Sequence, residues 1–216
     1  DEDLHVDLAG GDHIISVRDP NLKEERSHSF SGSVDWYHQI GATEVNFLAE
    51  GFYTNLKDPF TPVSEEQADG TIIKHIINAS GAKVYGVNLE GRAAYSTLLE
   101  LQVGATIQRS RYDEARKWSD DETDDVTAER KMMRTPDVYG FFLATLTPFK
   151  AFSTSFSGNY TGSMLVPHEA GVIEKNRTEK SPSFFEFGLK VAYEIPVFRG
   201  SVLEINGGVR NLFNEF

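Results

Sequence analysis

The sequence predicts an all-β chain, an antiparallel up-and-down sheet of about eight strands of the kind that crosses a membrane as a β-barrel. Three observations carry this prediction. Apolar and polar side chains alternate residue by residue through eight stretches, four tight turns and three long polar loops join those stretches in alternation, and aromatic residues gather near the tight turns. Successive side chains of a strand point to opposite faces, so each stretch has one apolar wall and one wet wall, as a barrel between lipid and a polar lumen requires.

The predicted strands cover 27–40, 43–57, 82–95, 97–111, 136–147, 150–164, 183–196 and 200–212. The first two meet at Gly41-Ala42, and the third and fourth at Tyr95-Ser96. The fourth has the clearest pattern, with Leu99, Leu101, Val103, Ala105 and Ile107 on one face and Glu100, Gln102, Gly104, Thr106 and Gln108 on the other. In the fifth, Tyr139, Phe141, Phe142 and Leu143 blur the two faces. It turns at Pro148-Phe149 into the sixth, where Ser153, Ser155, Ser157, Asn159 and Thr161 oppose Phe152, Phe156 and Tyr160. The seventh sets Phe185, Phe187, Leu189, Val191, Tyr193 and Ile195 against Glu186, Gly188, Lys190, Ala192 and Glu194. It turns over Val197–Gly200 into the eighth, where Leu203, Ile205 and Val209 alternate with Glu204, Asn206, Gly208 and Arg210. Pro148 and Pro196 stand at strand ends, where a missing N–H costs a ladder least. The long loops 58–81, 112–135 and 165–182 all fall on one side, while Trp36, Tyr95, Phe149, Tyr193 and Phe198 lie near the tight turns as an expected girdle.

Composition is compatible with this fold. A mean hydropathy of −0.37 suits a barrel whose lumen face and loops are polar, and no apolar run approaches the roughly 18 residues of a membrane helix. Cysteine is absent, which excludes disulfide and thiolate chemistry. A net charge of −12 argues against a nucleic-acid partner, because neutralising phosphates requires a basic surface. There is no Gly-rich phosphate loop, no Gly-x-Ser-x-Gly and no His-Glu-x-x-His, so no enzyme activity and no cofactor are expected.

Four segments carry a family resemblance. Asp19-Pro20-Asn21-Leu22-Lys23-Glu24-Glu25 resembles the "NPNLKPE" motif that precedes a barrel strand in TonB-dependent outer-membrane receptors, with Glu25 where proline is usual. Asn78-Ala79-Ser80-Gly81, running to Asn88-Leu89-Glu90, resembles that family's "NAG…GxE" strand entry, with Asn88 at a position where glutamate is common. Arg134-Thr135-Pro136 is similar to a short Thr-Pro strand opening, and Gly208-Val209-Arg210-Asn211-Leu212-Phe213 to the "NLF" segment of the penultimate strand. Barrels of this class have about 22 strands and a plugged lumen. The resemblance therefore implies that 1–216 is the C-terminal part of the barrel, about the fourteenth to twenty-first strands as an open curved sheet if alone. The plug domain, with its energy-coupling box, and the last strand would lie outside this sequence.

The resemblance further implies an active transporter in the outer membrane of a Gram-negative bacterium, importing a scarce nutrient such as an iron–siderophore, haem, cobalamin or glycan. The partners it implies are outer-membrane lipid, the TonB complex acting through the plug, the small-molecule or glycan nutrient and a surface lipoprotein.

Candidate ligand-binding residues are Trp118, His75, His168 and Arg111, and Glu90, Arg92, Glu100, Gln102, Glu186, Lys190, Glu204 and Arg210 are expected to face the lumen. Trp118 lies in the acidic run from Asp113 to Asp125; it can stack on a ligand or pack within its loop. The carboxylates of that run lack the Asp-x-Asp-x-Asp-Gly spacing of a calcium loop, so they read as a solvated stretch and no metal is expected. His75 and His168 belong to no ligand cluster in sequence. Two other architectures fit parts of the pattern: a soluble extracellular β-sandwich binding module, whose apolar face would pack on a second sheet, and a complete eight-stranded membrane barrel.

Overall fold

The computed structural model describes residues 5–7, 14–66, 72–119, 124–171 and 173–213. Its strands are β1 (His5–Asp7), β2 (Ile14–Arg18), β3 (Arg26–Ile40), β4 (Thr43–Lys57), β5 (Phe60–Glu66), β6 (Ile72–Asn78), β7 (Ala82–Tyr95), β8 (Leu99–Arg116), β9 (Glu129–Lys131), β10 (Val138–Phe149), β11 (Phe152–Thr161), β12 (Leu165–His168), β13 (Arg177–Lys180), β14 (Phe184–Phe198) and β15 (Ser201–Arg210). The long strands form one antiparallel meander in the order β15-β14-β11-β10-β8-β7-β4-β3, with the short β9 added on β8. These are the eight strands expected from the alternation. Backbone geometry sets the turns between them. Gly41 takes φ +62° in the β3–β4 turn, and Arg199 and Gly200 take +39° and +86° between β14 and β15. Positive φ at both central residues gives a turn whose twist matches that of the flanking strands.

Register sorts the side chains into two faces. One row runs Val34, Ala49, Leu89 and Ala105 across β3, β4, β7 and β8, and another runs Leu101, Ala144, Phe156, Leu189 and Val209 from β8 to β15. These rows make an apolar face. The opposite face carries Ser33, Glu50, Asn88 and Thr106 in one row, and Arg92, Gln102, Leu143, Ser157, Gly188 and Arg210 in another. β10 is the strand whose pattern the sequence blurs, for a local reason. Phe141 lies over Gly104 on the polar face, where a Cβ would come within 2.4 Å of the ring, and Phe142 likewise lies over Gly158 on the apolar face. Each glycine yields its space to a neighbouring aromatic, so both faces of β10 carry rings.

Almost nothing is buried. Among the described residues other than glycine, only Ala82, Val126 and Ser110 are buried, while Phe30 and Val34 stand 70 % and 71 % exposed. This corrects the β-sandwich alternative. Among the described residues every pair of strands in extensive contact is a hydrogen-bonded neighbour, so no second described sheet covers the apolar face. The complete eight-stranded barrel also fails, because β3 and β15 are the two ends of the sheet and do not pair with each other.

The segments expected to be plain loops carry strands of their own. β5 and β6 form a hairpin between β4 and β7, and β2 joins it parallel to β6, giving a four-stranded sheet β1-β2-β6-β5. β12 and β13 form a second hairpin between β11 and β14. Asp120, Asp121, Glu122 and Thr123 of the acidic run lie outside the described residues.

Candidate lumen wall and loop cluster

The polar face is linked by hydrogen bonds between strands. Asn88 on β7 donates to the Glu50 carboxylate on β4 at 3.0 Å and accepts from the Thr106 hydroxyl on β8 at 2.8 Å. One turn of the pleat closer to the tight turns, Glu90 accepts from Gln102 at 2.9 Å and pairs with Arg92 at 2.6 Å. In the same row as Glu90, on β3, Asp35 accepts from Tyr37 at 2.9 Å and from Asn46 at 2.5 Å. The register places Glu90, Arg92, Glu100, Gln102, Glu186, Lys190, Glu204 and Arg210 all on this face. Polar side chains that satisfy one another across strands fix register as well as wall chemistry.

The apolar face has an aromatic row at each end. Toward the tight turns stand Tyr95, Phe152 and Tyr193, with Phe149 stacked on Phe152 at 5.7 Å. Toward the long loops, Phe30, Tyr53 and Tyr85 align across β3, β4 and β7, and Tyr160 meets Phe185 at 4.7 Å across β11 and β14. Of the expected girdle, Tyr95, Phe149 and Tyr193 stand at this end, where Phe152 joins them, whereas Trp36 lies opposite Phe47, four residues from Ile40, which shares the Tyr95 row; the second row lies away from the tight turns and was not expected. On β7 the two rows are Tyr85 and Tyr95. At about 3.3 Å per residue that is roughly 33 Å of strand. For a barrel strand tilted by about 40° it spans roughly 25 Å of height, which is the thickness of the apolar band of an outer-membrane barrel.

At the loop end, two motif segments that are far apart in sequence meet at one side chain. Asn78 donates to the carbonyl of Lys23 at 2.9 Å and to that of Asp58 at 2.7 Å, and accepts from the Lys23 N–H at 2.6 Å. Glu25, standing where proline is usual, accepts from the Phe60 N–H at 3.2 Å. Gly81 leaves no room for a side chain: a Cβ would lie 2.5 Å from the Leu56 carbonyl oxygen and 2.8 Å from the Asp113 carboxylate. Together these contacts hold the entries to β3 and β7 beside the exit of β4.

A second cluster joins the loops that follow β8 and β11. The Trp118 indole N–H donates to Thr178 at 3.0 Å. Asp124 accepts from Ser119 at 2.5 Å, from the Asn176 amide at 2.7 Å and from the Asn176 N–H at 3.1 Å. The Asp125 N–H in turn donates to the Asn176 carbonyl at 3.0 Å. The hydroxyl of Ser119 and then the amide of Asn176 hold the Asp124 carboxyl below the usual carboxylate range. Glu179 lies below that range as well, chiefly through its hydrogen bond with His168, with Arg177 beside it; the His168–Glu179 contact is 3.2 Å.

The structure thus brings Trp118 and His168 to one loop cluster. His75 lies apart from them on β6, between Val17 of β2 and Val63 of β5. Arg111 is on neither loop sheet; it stands on the outward row, opposite Lys83 and Lys131.

Comparison with known proteins agrees with this geometry. The family model of the TonB dependent receptor-like β-barrel matches residues 6–212. No curated protein sequence matches the chain. Among solved structures, the outer membrane transporter YddB from Escherichia coli aligns with a TM-score of 0.67 at 12% identity, over 96% of this chain and 31% of that one. The FrpB iron transporter from Neisseria meningitidis aligns at 0.59 and 14% identity, over 94% and 29%. The ferric-catecholate import receptor Fiu from E. coli K12 aligns at 0.58 and 16% identity, over 90% and 24%. The chain spans about a quarter to a third of the length of these proteins. With its lipid-ready face, polar wall and motif contacts, the chain belongs to the TonB-dependent receptor β-barrel family of the Gram-negative outer membrane.

Proposed function

We propose that this chain forms part of the wall of an outer-membrane active transporter, with its apolar face in lipid, its polar face lining the lumen, its tight turns in the periplasm and its long loops outside the cell. The observation that carries this reading is the single-layer, two-faced sheet, whose apolar side is bounded by aromatic rows roughly 25 Å apart in height and whose other side is satisfied by cross-strand carboxylate networks. A nutrient captured by the loops would pass along the polar wall, driven by energy that TonB delivers through a plug domain. Trp118 and His168 in the loop cluster, with His75 on the adjoining loop sheet, are the side chains of this chain proposed to meet that nutrient. Iron chelates, haem, cobalamin and glycans are the cargo classes to test. Proteins of similar fold include an iron transporter and a ferric-catecholate import receptor.

Topology is accessible to cysteine labelling, since these 216 residues contribute no cysteine and any elsewhere in the full-length protein can be replaced by serine. In the full-length protein, Glu169→Cys in the loop after β12 reacts with a membrane-impermeant maleimide on intact cells, whereas Lys150→Cys in the β10–β11 turn reacts only after permeabilisation. The reverse pattern would overturn the orientation. For function, a strain lacking the full-length protein is grown on an iron chelate, haem, cobalamin or an oligosaccharide, each as the limiting source. Selective failure on one of them, matched in wild-type cells by a protonophore, is the expected result; normal growth on all four would contradict the transport reading.

A further inference from the structure

Charge is unevenly spread over the polar face. The sector from β3 to β8 carries Asp35, Glu50, Glu90 and Glu100, and Arg92 within it is paired with Glu90. The sector from β11 to β15 is built differently. Ser157, Gly188 and Arg210 form one row across β11, β14 and β15, and Ser155, Lys190 and Gly208 form the next toward the tight turns. Each cation therefore stands opposite a glycine, and the two glycines leave an open floor between the charges. Backbone and hydroxyl lie directly against that floor: a Cβ on Gly208 would come within 2.7 Å of the Leu189 carbonyl oxygen, and one on Gly188 within 3.0 Å of the Ser157 hydroxyl. With Asn206 these residues line a concave space of about 540 Å³. Lys190 and Arg210 are exposed and make no ion pair among the described residues. Glu186 and Glu204 flank them on the same face without pairing with them; Glu204 accepts from Asn206 at 2.9 Å instead.

We propose that this cup binds a carboxylate or phosphate group of the transported nutrient inside the lumen, and hence that the cargo is an anionic small molecule. The inference rests on the transport reading made above. A guanidinium fork and an ammonium group supply charge-assisted donors to an oxyanion, and the serine hydroxyls rotate to donate as well. The depth of the cup follows from the register. On β14, Gly188 and Lys190 lie between Phe185 and Tyr193, which belong to the loop-side and turn-side aromatic rows, so the cup is part of the wall and not of the loops. The rest of the wall reinforces it. Carboxylates on β3 to β8 repel an anion while Lys190 and Arg210 attract one, so the field of the wall draws such a solute to the β14–β15 side. An uncharged oligosaccharide would gain neither effect.

The test follows uptake by cells that lack the full-length protein or carry it on a plasmid, with probes that differ in charge: ferric citrate and haem, which bear carboxylates, against ferrichrome and a neutral glucose oligosaccharide. Protein-dependent uptake of ferric citrate or haem, and of neither neutral probe, is the expected result. Replacing Lys190 and Arg210 by Gln together then raises the half-saturating concentration of that probe about tenfold or more, the effect of removing charge-assisted hydrogen bonds. Lys190→Arg keeps it near the wild-type value, and Arg199→Gln, which removes a cation from the β14–β15 turn, leaves it unchanged. If the double variant does not fold, Lys190→Gln alone decides, with a smaller shift in the same direction. Protein-dependent uptake of a neutral probe only would overturn the cup and leave the transport reading standing, whereas no protein-dependent uptake of any probe would overturn both. A double variant with unchanged half-saturation would overturn the cup as well; if its cells also became permeable to vancomycin, the two cations would hold a carboxylate of the plug instead of cargo.

Discussion

Asn78 is the residue on which most of the loop-end geometry converges, since its one amide satisfies three backbone groups from two different segments. Asn78→Ala leaves those groups unpaired at a half-buried position, and a loss of about 1–3 kcal/mol is expected. Urea unfolding of the full-length protein in lipid vesicles measures it; an unchanged midpoint would contradict the clamp. Gly81→Ala meets a backbone oxygen and a carboxylate rather than a flexible side chain, so a similar loss of about 1–3 kcal/mol is expected from overpacking. The motif residues around both positions were legible as a resemblance, but the reason for them was not. The Lys23–Asn78 contact spans 55 residues, and no local pattern announces a partner at that distance.

At the scale of elements, alternation made the eight long strands readable because each presents one face to an apolar and one to a polar surrounding. The short strands escaped for the opposite reason. β2 and β6 pair in parallel across a long separation, and Pro62 and Pro167 sit within β5 and β12, where proline argues against a strand. The lock between the loops after β8 and β11 was equally hidden, since Trp118 finds Thr178 at a separation of 60 residues. Its pH dependence has a definite sign. A carboxyl whose pKa is lowered on folding contributes stability that is complete above the ordinary carboxylate value of about 4 and is lost as pH falls through the lowered value. The Asp124 contacts therefore persist at neutral and mildly acidic pH and open only below the ordinary carboxylate range. In the full-length protein, the part of the tryptophan emission that a Trp118→Phe variant lacks should hold steady from pH 8 to about 5 and shift to the red below about 4. In an Asp124→Asn variant the shift should already be present at neutral pH. A transition near neutrality would contradict the Asp124 assignment.

For the molecule as a whole, the stability of the sheet lies outside itself. With no large side chain fully buried among the described residues and a row of exposed apolar side chains along one face, the described chain has no core of its own. Its apolar wall needs lipid, and its edge strands β3 and β15 need neighbours. On the proposed orientation, the face bearing Leu101 meets hydrocarbon and the face bearing Gln102 meets a polar lumen. These adjacent residues of β8 stand opposite Ala93 and Arg92 respectively. Folding of the full-length protein into lipid vesicles, followed by the heat-dependent mobility of the folded barrel, compares Leu101→Arg with Gln102→Arg. A penalty of roughly 2–4 kcal/mol is expected for the first and near-normal folding for the second. Equal effects of the two substitutions, or a larger one at Gln102, would contradict it.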